Sequence, residues 1–347
     1  MKYIRFLLFP FSIVYAAVTS FRNYLFDANV LKSHSFDLPI IAVGNLNVGG
    51  TGKTPQIEYL IRLLLKNYSV ATLSRGYKRK SKGFLLADAS STFDTLGDEP
   101  FQFYKKFDNI SVAVDANRKN GIEHLLRLPN KPNVILLDDA FQHRKVKAGL
   151  YILLTVFDDL YCNDFVLPAG NLRESRVGAN RATIIIVTKC PSTISEMDKI
   201  AIRKNLNVNS NQHLFFSKIG YDANVFSANQ TKSVSEIKTV EKLVVAGIAN
   251  PLPFLNFLKN EHDDVLLFPD HHEFSNNDIL EINTKAVNKL ILTTEKDYVR
   301  LQEKLKNENL FYLPIKSTFL ENDGEFDNLI FNFVKNYEVV RMPSIST

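Results

Sequence analysis

The sequence predicts an α/β protein. A parallel-sheet domain of the phosphate-binding-loop (P-loop) type, α/β/α in its layers, is followed by a second, smaller α/β/α domain, with an apolar helix ahead of both. Three observations predict this. Apolar runs without polar alternation, at 40–43, 70–73, 110–114, 134–137, 152–156 and 183–187, read as strands of a parallel sheet covered on both faces. The first run passes through a glycine-rich turn into Lys53-Thr54 and a helix-period stretch. A second series begins at 243–246, after a segment rich in Ser, Asn and Lys, and continues at 265–268 and 290–293.

In chain order, residues 6–18 come first, almost wholly apolar between Lys2 and Arg5 on one side and Arg22 on the other. As a helix they extend about 20 Å at ~1.5 Å per residue, short of the roughly 30 Å hydrocarbon core of a bilayer. An interfacial membrane anchor, a helix packed on the protein, and a secretory signal ending near Ala16-Ala17 all fit this stretch. The nucleotide-type site that soon follows argues against the signal. Pro10 is expected to perturb a straight helix.

The strand at 40–43 enters Gly44-Asn45-Leu46-Asn47-Val48-Gly49-Gly50-Thr51-Gly52-Lys53-Thr54. Glycines let successive N–H groups turn inward around an anion, and the next helix adds the partial positive charge of its N-terminus. Asn47, Val48, Gly49, Gly50, Thr51, Gly52, Lys53 and Thr54 are therefore the candidate cradle for a nucleoside triphosphate. Lys53 would reach the β- and γ-phosphates and the Thr54 hydroxyl would ligate Mg2+. Asn47 stands where the strict pattern has glycine, so the loop is a variant. The helix over 54–66 places Ile57, Leu60, Ile61, Leu64 and Leu65 on one face. Later strands end in Ser74-Arg75-Gly76-Tyr77, Asp138-Asp139 and Thr188-Lys189, and ligand residues gather at such carboxyl ends. Composition sets the divisions at 1–32 for the N-terminal helix and 33–190 for the nucleotide domain. Residues 191–240 read as the boundary and 241–341 as the second domain.

The net charge of +5 is mild and no basic run occurs, so no nucleic-acid partner is expected, while an anionic membrane surface is compatible. Nothing points to a protein partner. Cys162 and Cys190 form no closely spaced pair, so neither a disulfide framework nor a zinc site is indicated, and a reducing compartment suits the chain.

Several constellations carry chemistry. Asp138-Asp139, at the end of an apolar strand, reads as the acidic partner of the loop, holding Mg2+ opposite Thr54, or as a helix cap. Gln142 and His143 lie just beyond it. Asp98, in Gly97-Asp98-Glu99-Pro100, is either a helix cap or a base for an attacking hydroxyl. In Pro269-Asp270-His271-His272, adjacent imidazoles on an extended segment point apart, so one His paired with a carboxylate is the better reading than a metal site. The loop 167–181 carries Arg173, Arg176 and Arg181, which face either solvent or phosphate oxygens, and Arg75 and Arg118 also follow strands.

Together these segments resemble the lipid A 4′-kinases (tetraacyldisaccharide 4′-kinases) of bacteria. The resemblance is carried by 43–55, Ser74-Arg75-Gly76-Tyr77, Gly97-Asp98-Glu99-Pro100, Asp138-Asp139-Ala140-Phe141-Gln142-His143 and 167–174. It continues through Gly247-Ile248-Ala249-Asn250-Pro251, Phe268-Pro269-Asp270-His271 and Thr293-Thr294-Glu295-Lys296-Asp297, in family order over most of the chain. Ala140 and Asn171 depart from the family's usual glycine and proline without removing a reactive group. The resemblance implies ATP-dependent phosphorylation of the 4′-hydroxyl of an acylated glucosamine disaccharide 1-phosphate. It places the enzyme on the cytoplasmic face of the inner membrane, with the N-terminal helix docked on the bilayer. It also implies that Asp98 and His271 accept the hydroxyl proton, that Asp138 and Asp139 serve the metal, and that Glu174 helps position it. Arg75, Arg118, Gln142, His143 and Arg173 are the expected substrate or phosphate contacts. A switch or metal-delivery ATPase is the alternative suggested by the loop, although Val48 stands where that group often carries lysine. A membrane-bound protein with a structural nucleotide is the other.

Overall fold

The computed structural model of the chain describes residues 5–270 and 272–341. Helix α1 (Phe9–Asp27) comes first. Pro10 falls in its first turn, where a missing N–H breaks no intrahelical bond, so the expected perturbation does not arise and the helix runs well past 18. The P-loop domain then takes shape through β1 (Ile40–Asn45), α2 (Lys53–Leu64), β2 (Val70–Ser74), β3 (Leu85–Leu86), α3 (Phe93–Leu96) and α4 (Asp98–Lys106). It continues with β4 (Ile110–Val114), α5 (Arg118–Leu125), β5 (Val134–Asp138), β6 (Leu150–Val156), β7 (Ile184–Thr188), α6 (Glu196–Asn205) and β8 (His213–Tyr221). The second domain holds β9 (Asn224–Phe226), β10 (Thr231–Ser233), α7 (Val234–Thr239), β11 (Lys242–Ala246), α8 (Leu252–Leu258) and β12 (Asp264–Leu267). Completing it are α9 (Asn276–Lys285), β13 (Leu290–Thr294), α10 (Glu295–Leu305) and β14 (Leu310–Leu313). The chain finally returns to the first domain as β15 (Ile315–Phe319) and α11 (Asp323–Arg341).

The first sheet runs β15-β8-β7-β6-β1-β5-β2-β4-β3, and the second β10-β9-β14-β13-β11-β12. Both are mixed rather than purely parallel. From β8 to β4 each neighbour is parallel, but β3 and β15 pair antiparallel at the edges. In the second sheet β9 and β10 are antiparallel and the other strands parallel. The topology turns about β1, which lies between β5 and β6. Loops leaving β1 and β5 therefore open the crevice where doubly wound sheets bind ligands.

The stretch 191–240, read from composition as a boundary, contains the passage from the first sheet, where β8 ends at Tyr221, to the second, where β9 begins at Asn224. Strand β8 pairs with β7 at Ile184↔His213, and α6 lies before it. Polar residues are tolerated there because α6 buries only Ile202 and β8 is half-buried over much of its length. The return of β15 and α11 makes the first domain discontinuous in sequence. Phe319, Phe326, Ile330 and Val334 join one apolar cluster with Ile57, Leu60, Ile61 and Leu64, the inward face expected of α2. The helix that follows the glycine loop is thus held by the last segment of the chain.

A second set of contacts joins the domains. Val299 of α10 shares a cluster with Leu96, Phe101 and Val114, and Lys106 bridges Glu58 of α2 and Glu295 of α10, at 2.7 Å to each. Burial, and then the Glu58 charge, push the Glu295 carboxyl up to about 7.

Phe326 is fully buried and its ring lies tilted against Phe319, with centroids 4.6 Å apart. Phe326→Ala is expected to cost about 3–5 kcal/mol, read as a fall in the urea midpoint of the first domain, because the returning helix leaves a cavity over α2.

Candidate active site

The P-loop leaves β1 at Asn45 and re-enters helix at Lys53. Gly49 (φ 118°) and Gly52 (φ 87°) take left-handed backbone that other residues adopt only with strain, which turns the loop back on itself. Thr51 N–H donates to the Gly49 carbonyl at 3.1 Å, and the Thr188 hydroxyl donates to the Thr51 carbonyl at 2.8 Å. The predicted arginine loop is the wall of this cradle. Val48 N–H donates to the Asn171 carbonyl at 2.8 Å and Arg173 N–H to the Leu46 carbonyl at 2.7 Å. The Gln142 amide donates to the Asn45 carbonyl at 2.8 Å, closing the other side.

Asp138 and Asp139 follow at the end of β5. Asp138 is 4% exposed, and its carboxylate accepts from the Ser74 hydroxyl at 3.2 Å. Burial, and then Asp139, raise the Asp138 carboxyl above the usual range. Asp139 has φ 47°, a backbone that a short polar side chain tolerates, and this turns its carboxylate toward the loop. There it lies 3.6 Å from Lys53 Nζ and accepts from Arg173 Nη1 at 2.9 Å with both oxygens. Burial pushes Asp139 up, yet Lys53 and Arg173 outweigh it and leave its carboxyl below the ordinary value.

The remaining expected residues divide. Arg118 is buried and spends its guanidinium on the carbonyls of Asp115 (2.6 Å) and Asp138 (3.0 Å), with burial lowering its pKa to about 10. Arg75 is exposed at the same sheet edge, near enough to bear on Arg118 and His143. His143 stays neutral, its pKa lowered to about 4 by burial and then by Arg118. Glu174 is not brought to the acid pair: it is 1% exposed and held by Arg181 at 2.7 Å and by the Asn23 amide at 2.6 Å. Asp98 opens α4 and is ion-paired with Arg300 of the second domain. His271 lies outside the described residues. Its neighbour His272 lies 3.0 Å from Asp278, the acidic member of the capping box of α9.

Helix α1 docks on the same arginine loop, and it does so by its polar side. Arg5 donates to the Pro168 and Gly170 carbonyls at 3.2 and 2.7 Å, Tyr15 to the Arg173 carbonyl at 3.2 Å, and Arg22 to the Gln142 carbonyl at 3.2 Å. Ser12, 4% exposed, accepts from Ala169 N–H at 2.9 Å. Leu7, Phe11, Ile13, Val14, Val18, Phe21 and Tyr24 point outward, 58–77% exposed. A helix of a soluble domain has the opposite arrangement. Among the described residues no helix is long and apolar enough to cross a membrane.

The sequence profile of the LpxK family, tetraacyldisaccharide-1-P 4′-kinase, matches residues 4–335. The chain belongs to this family. It is 61% identical over 338 residues to the tetraacyldisaccharide 4′-kinase of Flavobacterium psychrophilum, covering 97% of this chain and 98% of that protein. It is 47% identical over 353 residues to the enzyme of the same name from Bacteroides thetaiotaomicron, covering 94% and 93%. The crystal structure of an "apo" form of LpxK from Aquifex aeolicus in complex with ATP matches with a TM-score of 0.78 at 32% identity, over 95% of this chain and 99% of that one.

In this LpxK-family chain two groups at the site escaped sequence reasoning. Glu99 lies in the field of Asp138, Asp139, Lys53 and Lys296, and burial, then Asp138, push its carboxyl up to about 7. Its place beside Asp98 at a helix start was the available signal. Arg300 reaches Asp98 across 202 positions of sequence, which no local pattern reports. The site also fits a hard divalent cation. Two adjacent carboxylates, one of them buried, face the helix that carries the Thr54 hydroxyl, and such oxygens suit Mg2+. No cluster of three His, Cys, Asp or Glu side chains able to hold a metal occurs among the described residues.

Thr188 supports the loop, its buried hydroxyl shared between the Thr51 and Thr155 carbonyls at 2.8 and 3.2 Å. Removing its hydroxyl in Thr188→Val deletes one hydrogen bond of about 1 kcal/mol, so ATP affinity should fall about fivefold by isothermal titration, with the fold retained.

Proposed function

We propose that this chain transfers the γ-phosphoryl group of ATP to the 4′-hydroxyl of a tetraacyl glucosamine disaccharide 1-phosphate at a membrane surface. The observation that carries the reading is the meeting of Lys53, Asp139 and Arg173 beside a glycine loop, in a chain of the LpxK family. This is phosphoryl-transfer machinery, in which positioning and electrostatics supply most of the catalysis.

The N–H groups of Gly50, Gly52, Lys53 and Thr54 and the Lys53 ammonium take the charge of the β- and γ-phosphates. Mg2+ held by Asp138, Asp139 and the Thr54 hydroxyl would neutralise phosphate charge further. Arg173, now paired with Asp139, is free to share its fork with an incoming phosphate, because a guanidinium has more donors than one carboxylate uses. Arg75, exposed at the same edge, is the second candidate contact. Arg118, Gln142 and His143 act at one remove, fixing the ends of β1 and β5 where the phosphates lie. Glu174 braces the loop that carries Arg173 through its contacts to Arg181 and Asn23. Asp98 accepts the 4′-hydroxyl proton, and the family resemblance adds His271 as its partner. The sugar oxygen bonds to the γ-phosphorus as the bond to the bridging oxygen breaks, and ADP departs.

Helix α1 supplies the membrane contact. Its outward apolar residues cover the side next to the arginine loop, so acyl chains stay in lipid while the sugar reaches the site. This reading carries the cytoplasmic, inner-membrane location that the resemblance implies.

The test is transfer of labelled γ-phosphate from ATP-Mg2+ to an acylated glucosamine disaccharide 1-phosphate in detergent micelles. Wild type should turn over, and Asp98→Ala should lose about 100- to 10,000-fold in kcat with ATP binding retained. A folded, ATP-binding wild type that transfers nothing would refute the reading.

For the membrane contact, Phe11→Glu/Val18→Glu should weaken co-sedimentation with anionic vesicles by at least about tenfold, since each buried side chain contributes about 1.5–3 kcal/mol. ATP affinity should stay unchanged. Undiminished sedimentation would remove α1 from the membrane contact.

A further inference from the structure

Helix α10 belongs to the second domain but reaches the first. Its start is fixed by Asp297, fully buried, whose carboxylate accepts from Gly247 N–H at 2.8 Å and the Thr294 hydroxyl at 2.6 Å. Glu295 then meets Lys106 at 2.7 Å, and Val299 enters the apolar cluster of Leu96, Phe101 and Val114. These contacts lay α10 along α4, the helix whose first residue is Asp98. Arg300, 8% exposed, is delivered to that residue. Its Nη2 donates to Asp98 Oδ2, its Nε faces Oδ1 at 3.4 Å, and its Nη1 faces the His272 carbonyl at 3.5 Å.

A planar fork that addresses both oxygens sets the plane of a carboxylate as well as its charge. For a proton acceptor the plane matters, because it decides which lone pair faces the incoming hydroxyl. We infer that Arg300 is a positioning residue for phosphoryl transfer, holding the Asp98 carboxylate from the opposite domain. This rests on the reading of Asp98 as the base. Arg300 neither touches the sugar nor exchanges a proton: the hydroxyl proton passes to Asp98 as the new P–O bond forms and the bridging bond breaks. The arrangement makes base geometry depend on the docking of α10, so the hydroxyl is oriented only while the two domains are engaged. It also gives a role to the segment 294–297, whose Thr, Glu and Asp all serve to seat α10.

The test compares wild type with Arg300→Gln, Arg300→Lys, Asp98→Asn and the Arg300→Gln/Asp98→Asn double variant in the micellar kinase assay, with circular dichroism as the folding check. Arg300→Gln should lower kcat about 10- to 100-fold while KM for ATP moves less than about twofold. Arg300→Lys, which keeps the charge but loses the fork, should recover part of the loss, and it serves in the cycle if Arg300→Gln does not fold. In the Asp98→Asn background the Arg300 change should cost nothing more, because its effect passes through that carboxylate. An equal loss in both backgrounds, or a rise in KM for ATP that accounts for the loss, would overturn the positioning role and leave the base intact. Asp98→Asn at the wild-type rate would instead remove the base, and the positioning role with it.

Discussion

Two carboxylates in consecutive positions at a nearly dry strand end are the constraint around which this structure is arranged. Asp138 and Asp139 repel each other, and burial makes that repulsion stronger than it would be in water. The repulsion is met by geometry. A left-handed residue at 139 swings one carboxylate out to Lys53 and Arg173, while the other stays in, bonded to Ser74 and backed by Arg118. Each of those partners leaves a different element: Ser74 from β2, Lys53 from the start of α2, Arg118 from the start of α5, Arg173 from the long loop after β6. The acid pair therefore ties the loops of the sheet edge into one unit, and it presents one carboxylate and one ammonium to the space where phosphates enter.

The second domain meets that unit through α4, clasped at one end by Arg300 and at the other by Glu295 through Lys106. Lys106 also reaches Glu58 on the P-loop helix. One cation between two buried carboxylates is a compromise. Burial and Glu58 push the Glu295 carboxyl up, and Lys106 opposes them. Polar contacts of this kind contribute specificity of docking more readily than net stability. Here they fix which turn of α10 lies against which turn of α4, and the apolar cluster around Val299 supplies the adhesion.

What was legible in the sequence was local. The glycine loop, the inward face of α2 and the acid pair each depend on residues within a few positions of one another, and each lies where its pattern placed it. The LpxK-family resemblance was legible for the same reason, as short motifs in order. What escaped was long-range or subtle. The return of β15 and α11 pairs residues at 315–319 with 217–221, which no local periodicity announces. Pro10 looked like a helix breaker because its harm depends on where the helix begins, and the helix begins one residue earlier. Of the loop arginines, Arg173 faces the acid pair while Arg181 serves Glu174, a division set by packing and not by spacing.

The inverted helix at the N-terminus joins these strands of argument. A helix that turns serine, arginine and tyrosine toward the protein and phenylalanine and valine outward leaves apolar surface in water unless something covers it. Its polar anchors are specific. Arg5, Ser12 and Tyr15 bind residues 168–173, and that loop in turn bonds to Leu46 and Val48 of the P-loop. The helix cannot shift on its seat without disturbing the wall of the phosphate cradle. A lipid surface covering its outer face would thus hold the acceptor's anchor and the nucleotide's cradle in one frame, two hydrogen-bonded steps apart. For a reaction between a soluble donor and an acceptor that stays in a bilayer, such a frame supplies the proximity that catalysis needs before any proton moves.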